Sequence, residues 1–141
     1  MPMHKCNVSN KYTVLMCTAG PWPKEVDQTT MKADLMKLTQ DAWGTQLKDC
    51  QVAAEVSEGG YRHFHIIVHL KSAQRWVKWN KVVKQYVGQL PRDPDETRGV
   101  NSRCDAFGRN ERDPWNAAKK YLHFPSKDKQ VDDDVMDFEP P

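Results

Sequence analysis

A chain of 141 residues with 38% hydrophobic and 28% charged residues suits one folded domain with its own core and excludes a disordered chain. It holds no window of ~18 apolar residues that would span a membrane, no apolar stretch after Met1-Pro2-Met3-His4-Lys5 of the kind a secretory signal needs, and no C-x-x-C among Cys6, Cys17, Cys50 and Cys104, which points to reduced thiols rather than a zinc ribbon or disulfide framework. The formal charge of +2 hides an asymmetry: all 21 Lys and Arg precede Val131, whereas Asp132, Asp133, Asp134, Asp137 and Glu139 follow it, so the body of the chain is basic and suits a polyanionic partner.

Residues 11–18 (KYTVLMCT) are β-branched and apolar and predict a strand, broken by Gly20-Pro21-Trp22-Pro23. From 28 to 43, Met31, Leu35, Leu38 and Ala42 recur at helical spacing, with Asp27 or Thr29 as cap and Gly44 as stop. Residues 49–56 alternate: Cys50, Val52, Ala54 and Val56 share one face, Gln51, Ala53 and Glu55 the other. A turn at Ser57-Glu58-Gly59-Gly60 leads into 63–70, where Phe64, Ile66, Val68 and Leu70 face one way and His63, His65, Ile67 and His69 the other. Two such runs around a glycine-containing loop predict an antiparallel hairpin.

Ser72 is the expected cap of a second helix carrying Trp76, Trp79, Val83 and Tyr86, of which Trp76 and Trp79 read as core. A polar loop over 90–98 and a strand over 99–107 follow. Asp113-Pro114 starts a third helix, which Pro125 ends. The expected architecture is α+β, an antiparallel sheet of about five strands with flanking helices. Residues 1–130 are expected to form the domain, and 131–141 an acidic tail or the start of a linker.

The sharpest feature is His63-Phe64-His65. Two histidines two apart on a strand project from one face, and parity places Glu55 across the hairpin on that same face. Two imidazoles and a carboxylate can hold a divalent cation with positions left open, which suits Mg²⁺ or Mn²⁺ acting on a phosphate. Glu58 is the rival carboxylate, but it sits in the turn. His69 shares the parity and lies too far along to join. Tyr121, in the basic run Lys119-Lys120-Tyr121, is a candidate nucleophile; a phenol needs a neighbouring cation or metal to attack, and Lys119, Lys120 and Lys127 are within sequence reach. Packing of the Tyr121 ring beside Ala117 and Leu122 is the alternative role.

Together these residues resemble the nuclease domain of rolling-circle replication initiators (Reps) of small circular single-stranded DNA viruses, members of the HUH endonucleases. The resemblance covers most of residues 11–130. Tyr12-Thr13-Val14-Leu15 is similar to the family's first-strand motif, Glu55 with Gly59 and His63-Phe64-His65 to its metal motif, and Tyr121 with Ala117, Ala118 and Lys120 to its nucleophile motif. The family places a Lys one helical turn after the Tyr; here Phe124 stands there and Lys127 is the next Lys. The resemblance implies that Glu55, His63 and His65 hold Mn²⁺ or Mg²⁺, and that Tyr121, assisted by Lys127, nicks one strand at an origin stem-loop. A 5′-phosphotyrosine is left, which rejoins strands on reversal.

It further implies single-stranded DNA as partner, with Lys11, Lys71, Arg75, Arg109 and Lys120 on phosphates and Trp22 stacking on a base. No membrane is involved, and the expected location is a host nucleus rather than outside the cell. Such initiators continue into a helicase domain through which they oligomerise; no G-x-x-x-x-G-K-[ST] is present, and the acidic tail reads as the linker to it. Two rivals stand beside this reading. One is a noncatalytic single-stranded nucleic-acid-binding module; the other is the same chemistry in a plasmid initiator, relaxase or transposase, where Glu55 favours the viral or plasmid type over relaxases.

Overall fold

The computed structural model describes residues 3–108, 110–123, 129–131 (backbone only) and 135–139. The described elements run β1 (Met3–Lys5), β2 (Tyr12–Gly20), α1 (Gln28–Trp43), a 3-10 turn (Gly44–Gln46), β3 (Leu47–Ser57), β4 (Arg62–Gln74), α2 (Val77–Gln89), β5 (Asn101–Phe107), α3 (Pro114–His123), β6 (Lys129–Val131) and β7 (Met136–Asp137). The strands form one sheet in the order β1-β5-β2-β4-β3-β6, with β7 also on β3, and every pairing is antiparallel. The α+β class is as expected. The sheet is wider than about five strands, because three short strands at its rims add to it. Among the described residues no helix is long and apolar enough to cross a membrane.

The helices form where local chemistry favours them. Asp27 caps α1, its carboxylate accepting from Thr29 N at 3.0 Å and Thr30 Oγ1 at 2.8 Å, and these bonds hold its carboxyl below the usual range. Gly44, at φ +57°, ends the helix. α3 starts as its sequence predicts: Asp113 Oδ1 accepts from Asn116 N at 3.0 Å and Pro114 takes the first helical position. Ser72 is not the cap of α2. β4 runs on to Gln74, the helix begins after Trp76 without a side-chain cap, and the Ser72 hydroxyl donates to Gln46 Oε1 at 2.8 Å. A solvated hydroxyl on an extended strand offers the same sequence signal as a cap.

The sheet divides the molecule. α1 and α2 pack on one face, burying Leu15, Cys17, Cys50, Val52, Ala54, Phe64, Ile66, Val68 and Leu70 against Met31, Leu35, Trp79, Val83 and Val87. Each such large apolar side chain contributes roughly 1.5–3 kcal/mol by leaving water. α3 covers the other face with Trp115, Ala118 and Leu122 against Val14, Met16, Ala53, Ile67 and Phe107. Part of the segment expected to be a linker belongs to this fold: Met136 pairs with Val52 and Asp137 with Gln51, Phe138 N donates to Cys50 O at 2.9 Å, and the Met136 and Phe138 side chains pack against the α1/α2 core.

Candidate metal centre

The hairpin register decides the site. Glu55 on β3 stands opposite His63 on β4, and Ala53 opposite His65, so period-two alternation puts all three polar side chains on the α3 face, as their parity predicts. They form a group whose ligand atoms all lie within 4.8 Å of one another. Glu55 Oε2 is 3.5 Å from His63 Nε2 and also contacts His65 Nε2. The three are only 1%, 4% and 3% exposed, which for a carboxylate is costly unless something cationic compensates it.

The remaining ring nitrogens are already engaged. His63 Nδ1 lies 3.0 Å from Tyr61 O and His65 Nδ1 lies 2.9 Å from Thr18 Oγ1; Thr18 is the β2 residue paired with His65. A carbonyl only accepts, so His63 Nδ1 donates to it, which turns Nε2 towards Glu55. The Thr18 hydroxyl, which can donate or accept, holds His65 by its Nδ1 in the same way. This is the arrangement by which neighbours orient histidine ligands of a metal. The contacts of Glu55 Oε2 among the described residues are with these two imidazoles, so the carboxylate and the two Nε2 atoms converge on one point. A buried Glu/His/His group of this geometry can hold a metal ion.

Tyr121 lies beside it. Its ring meets His65 edge-on, centroids 5.8 Å apart, and Phe107 at 6.3 Å. It borders an open cavity of about 600 Å³ shared with Glu111, Arg112, Asp113, Asn116, Ala117 and Lys120. On the other side, Tyr61 stacks on His63 at 5.1 Å; burial pushes its phenol above the ordinary value despite Arg103 and Arg98 nearby, so it keeps its proton more firmly than a free tyrosine.

The structure therefore brings together Glu55, His63 and His65, sets Tyr121 against His65, and places Lys120 on the cavity that Tyr121 borders. Glu58 lies in the turn, outside the group. His69 stacks instead on Trp115 at 5.5 Å. Trp22 is corrected from an exposed base-stacking ring to a core residue: it is 4% exposed, its ring packs on Phe64 at 6.0 Å, and Arg62 covers it at 5.8 Å. Lys11 and Arg75 line a separate cavity at the start of α2, with Lys78 and Trp43, away from the metal centre; Lys71 is exposed towards the far end of β4. Lys127 and Arg109 lie outside the described residues. Thr18, Tyr61 and Arg112 were missed, since nothing in their sequence surroundings ties them to the histidines; only strand pairing and loop closure do.

No family model matches this chain, and neither the curated proteins nor the solved structures yield a match.

Proposed function

We propose that this chain is a metal-dependent single-stranded DNA nickase and strand transferase of the kind its motifs resemble. The observation that carries the reading is the edge contact of the Tyr121 ring with His65, a member of the buried Glu55/His63/His65 group. The pairing of a metal-ligand set with an adjacent phenol suits phosphoryl transfer better than either part alone.

Glu55, His63 and His65 would hold Mn²⁺ or Mg²⁺, which when bound supplies Lewis-acid polarisation of a phosphate oxygen. Thr18 and Tyr61 O keep both imidazoles aimed. Tyr121 Oη attacks the phosphorus: the Oη–P bond forms, the P–O3′ bond breaks, the phenol proton leaves to solvent, and the departing oxygen takes up a proton as a 3′-OH. A 5′-phosphotyrosine remains, and attack by another 3′-OH reverses the step. Lys120 and Arg112, at the neighbouring cavity, would face the phosphate backbone, and Lys127 is the proposed assisting cation. An origin stem-loop is the proposed substrate, in a viral replication initiator acting in a host nucleus and assembling through a separate helicase domain.

The test is covalent trapping. Wild-type protein incubated with labelled single-stranded oligonucleotides and Mn²⁺ should give an adduct that survives denaturation. Tyr121→Phe should lose it while still retarding DNA, and His65→Ala should lose metal stimulation. Retarded DNA without any adduct from the wild type would instead identify a binding module.

A further inference from the structure

We infer that Gln51 and His123 are positioning residues for Tyr121, and that the C-terminal segment sets their hydrogen-bonding sense through Asp137. The inference rests on the proposed role of Tyr121 as nucleophile.

At 100° per residue, Trp115, Ala118 and Leu122 make one buried stripe along α3, and Tyr121 and His123 fall on opposite flanks of it. An apolar stripe on a sheet resists separation but sets the helix's roll less sharply than a directional bond does, because burial itself is non-directional. Rolling would swing Tyr121 away from His65. A hydrogen bond lies on the other flank, where His123 Nε2 meets Gln51 Oε1 at 3.1 Å. Gln51 shares the face of Ala53 and Glu55 on β3, so this bond pins α3 to the very strand that carries the carboxylate ligand.

The sense of that bond is fixed from outside. Gln51 Nε2 donates to Asp137 Oδ1, and Asp137 stands opposite Gln51 in the β3–β7 ladder. A carboxylate only accepts, so it holds the amide with Nε2 outward and Oε1 towards α3, where it receives the His123 N–H. Gln51 itself is 8% exposed, so competition from water is small. Alternation along the last segment agrees: Met136 and Phe138 turn to the α1/α2 core, leaving Asp137 on the α3 side. The chain that follows the nucleophile helix thus returns to lock that helix's roll.

The test uses the full chain. Gln51→Leu, His123→Leu and the double variant should each slow adduct formation at saturating DNA by about tenfold, the double no worse than the singles, since the two residues act through one bond. The DNA concentration for half-saturation should stay unchanged. Gln51→Glu combined with Asp137→Asn keeps both bonds with donors redistributed, and should recover to within about twofold of wild type. In 3-fluorotyrosine-labelled protein, the ¹⁹F resonance of Tyr121, assigned with Tyr121→Phe, should move in Gln51→Leu and return to its wild-type position when Gln51→Glu and Asp137→Asn are combined. Additive losses, or an unmoved Tyr121 resonance in Gln51→Leu, would overturn the positioning role. If the wild type forms no adduct, the nickase reading fails, while the fluorine signal still decides whether Gln51 holds the helix.

Discussion

The two faces of the sheet follow opposite rules. Under α1 and α2 the β3 and β4 side chains are apolar without interruption, from Cys50 to Ala54 and from Phe64 to Leu70. Under α3 the same strands carry Glu55, His63 and His65, all buried, beside a smaller apolar cluster. A face selected for stability alone would not bury a carboxylate between two imidazoles. The polar island departs from consistent packing where the group that can hold a metal ion lies.

Substitutions on the two faces should separate these roles. Phe64→Ala, at a fully buried position, should cost about 3–5 kcal/mol by leaving a cavity, read as a lower denaturation midpoint. Glu55→Gln, one strand away on the other face, should leave that midpoint unchanged or raised while removing Mn²⁺ binding in a calorimetric titration. Equal destabilisation by both would erase the distinction. At the border between the faces, Gly20→Ala places a Cβ 2.7 Å from Arg62 O and 3.1 Å from His63 Cβ; backbone must move, at a cost of about 1–3 kcal/mol, and Mn²⁺ affinity should fall with it because His63 shifts.

The smallest effect concerns pH. Burial, and next the charge of Lys48, hold His69 below its ordinary value of 6.5. The unfolded chain takes up that proton first, so stability contributed by neutral His69 is complete above pH 6.5 and declines as pH falls below it. His69→Gln should flatten that acid limb slightly in pH-dependent melts.

The hairpin, its facing and the convergence of Glu55, His63 and His65 were legible in the sequence because alternation is a local signal, and the turn at 57–60 fixes parity across it. α1 and α3 were legible from spacing and caps. The strand rims were not: Met3 pairs with Phe107 and Asp137 with Gln51, and strands so short carry no periodicity to read. Trp22 misled for a physical reason. Flanking prolines suggest an exposed loop, yet Trp22 N donates to Arg62 O at 3.0 Å, folding the chain back so that the ring fills space beside Phe64. Gln51 looked like one more outward residue of an alternating strand; its two partners come from elements that sequence places far away.

β3 is hydrogen-bonded along one side to β4 and along the other to the returning chain, with Glu55 opposite both His63 and Val131. A slip of one residue would exchange Glu55 for an alanine neighbour and thrust the carboxylate into hydrocarbon. With ladders on both flanks, such a slip must break two sets of backbone bonds together. The acid that would grip the cation is therefore held in phase by chain on either side of it, and this strand's flanks are closed to a foreign strand where the returning chain pairs.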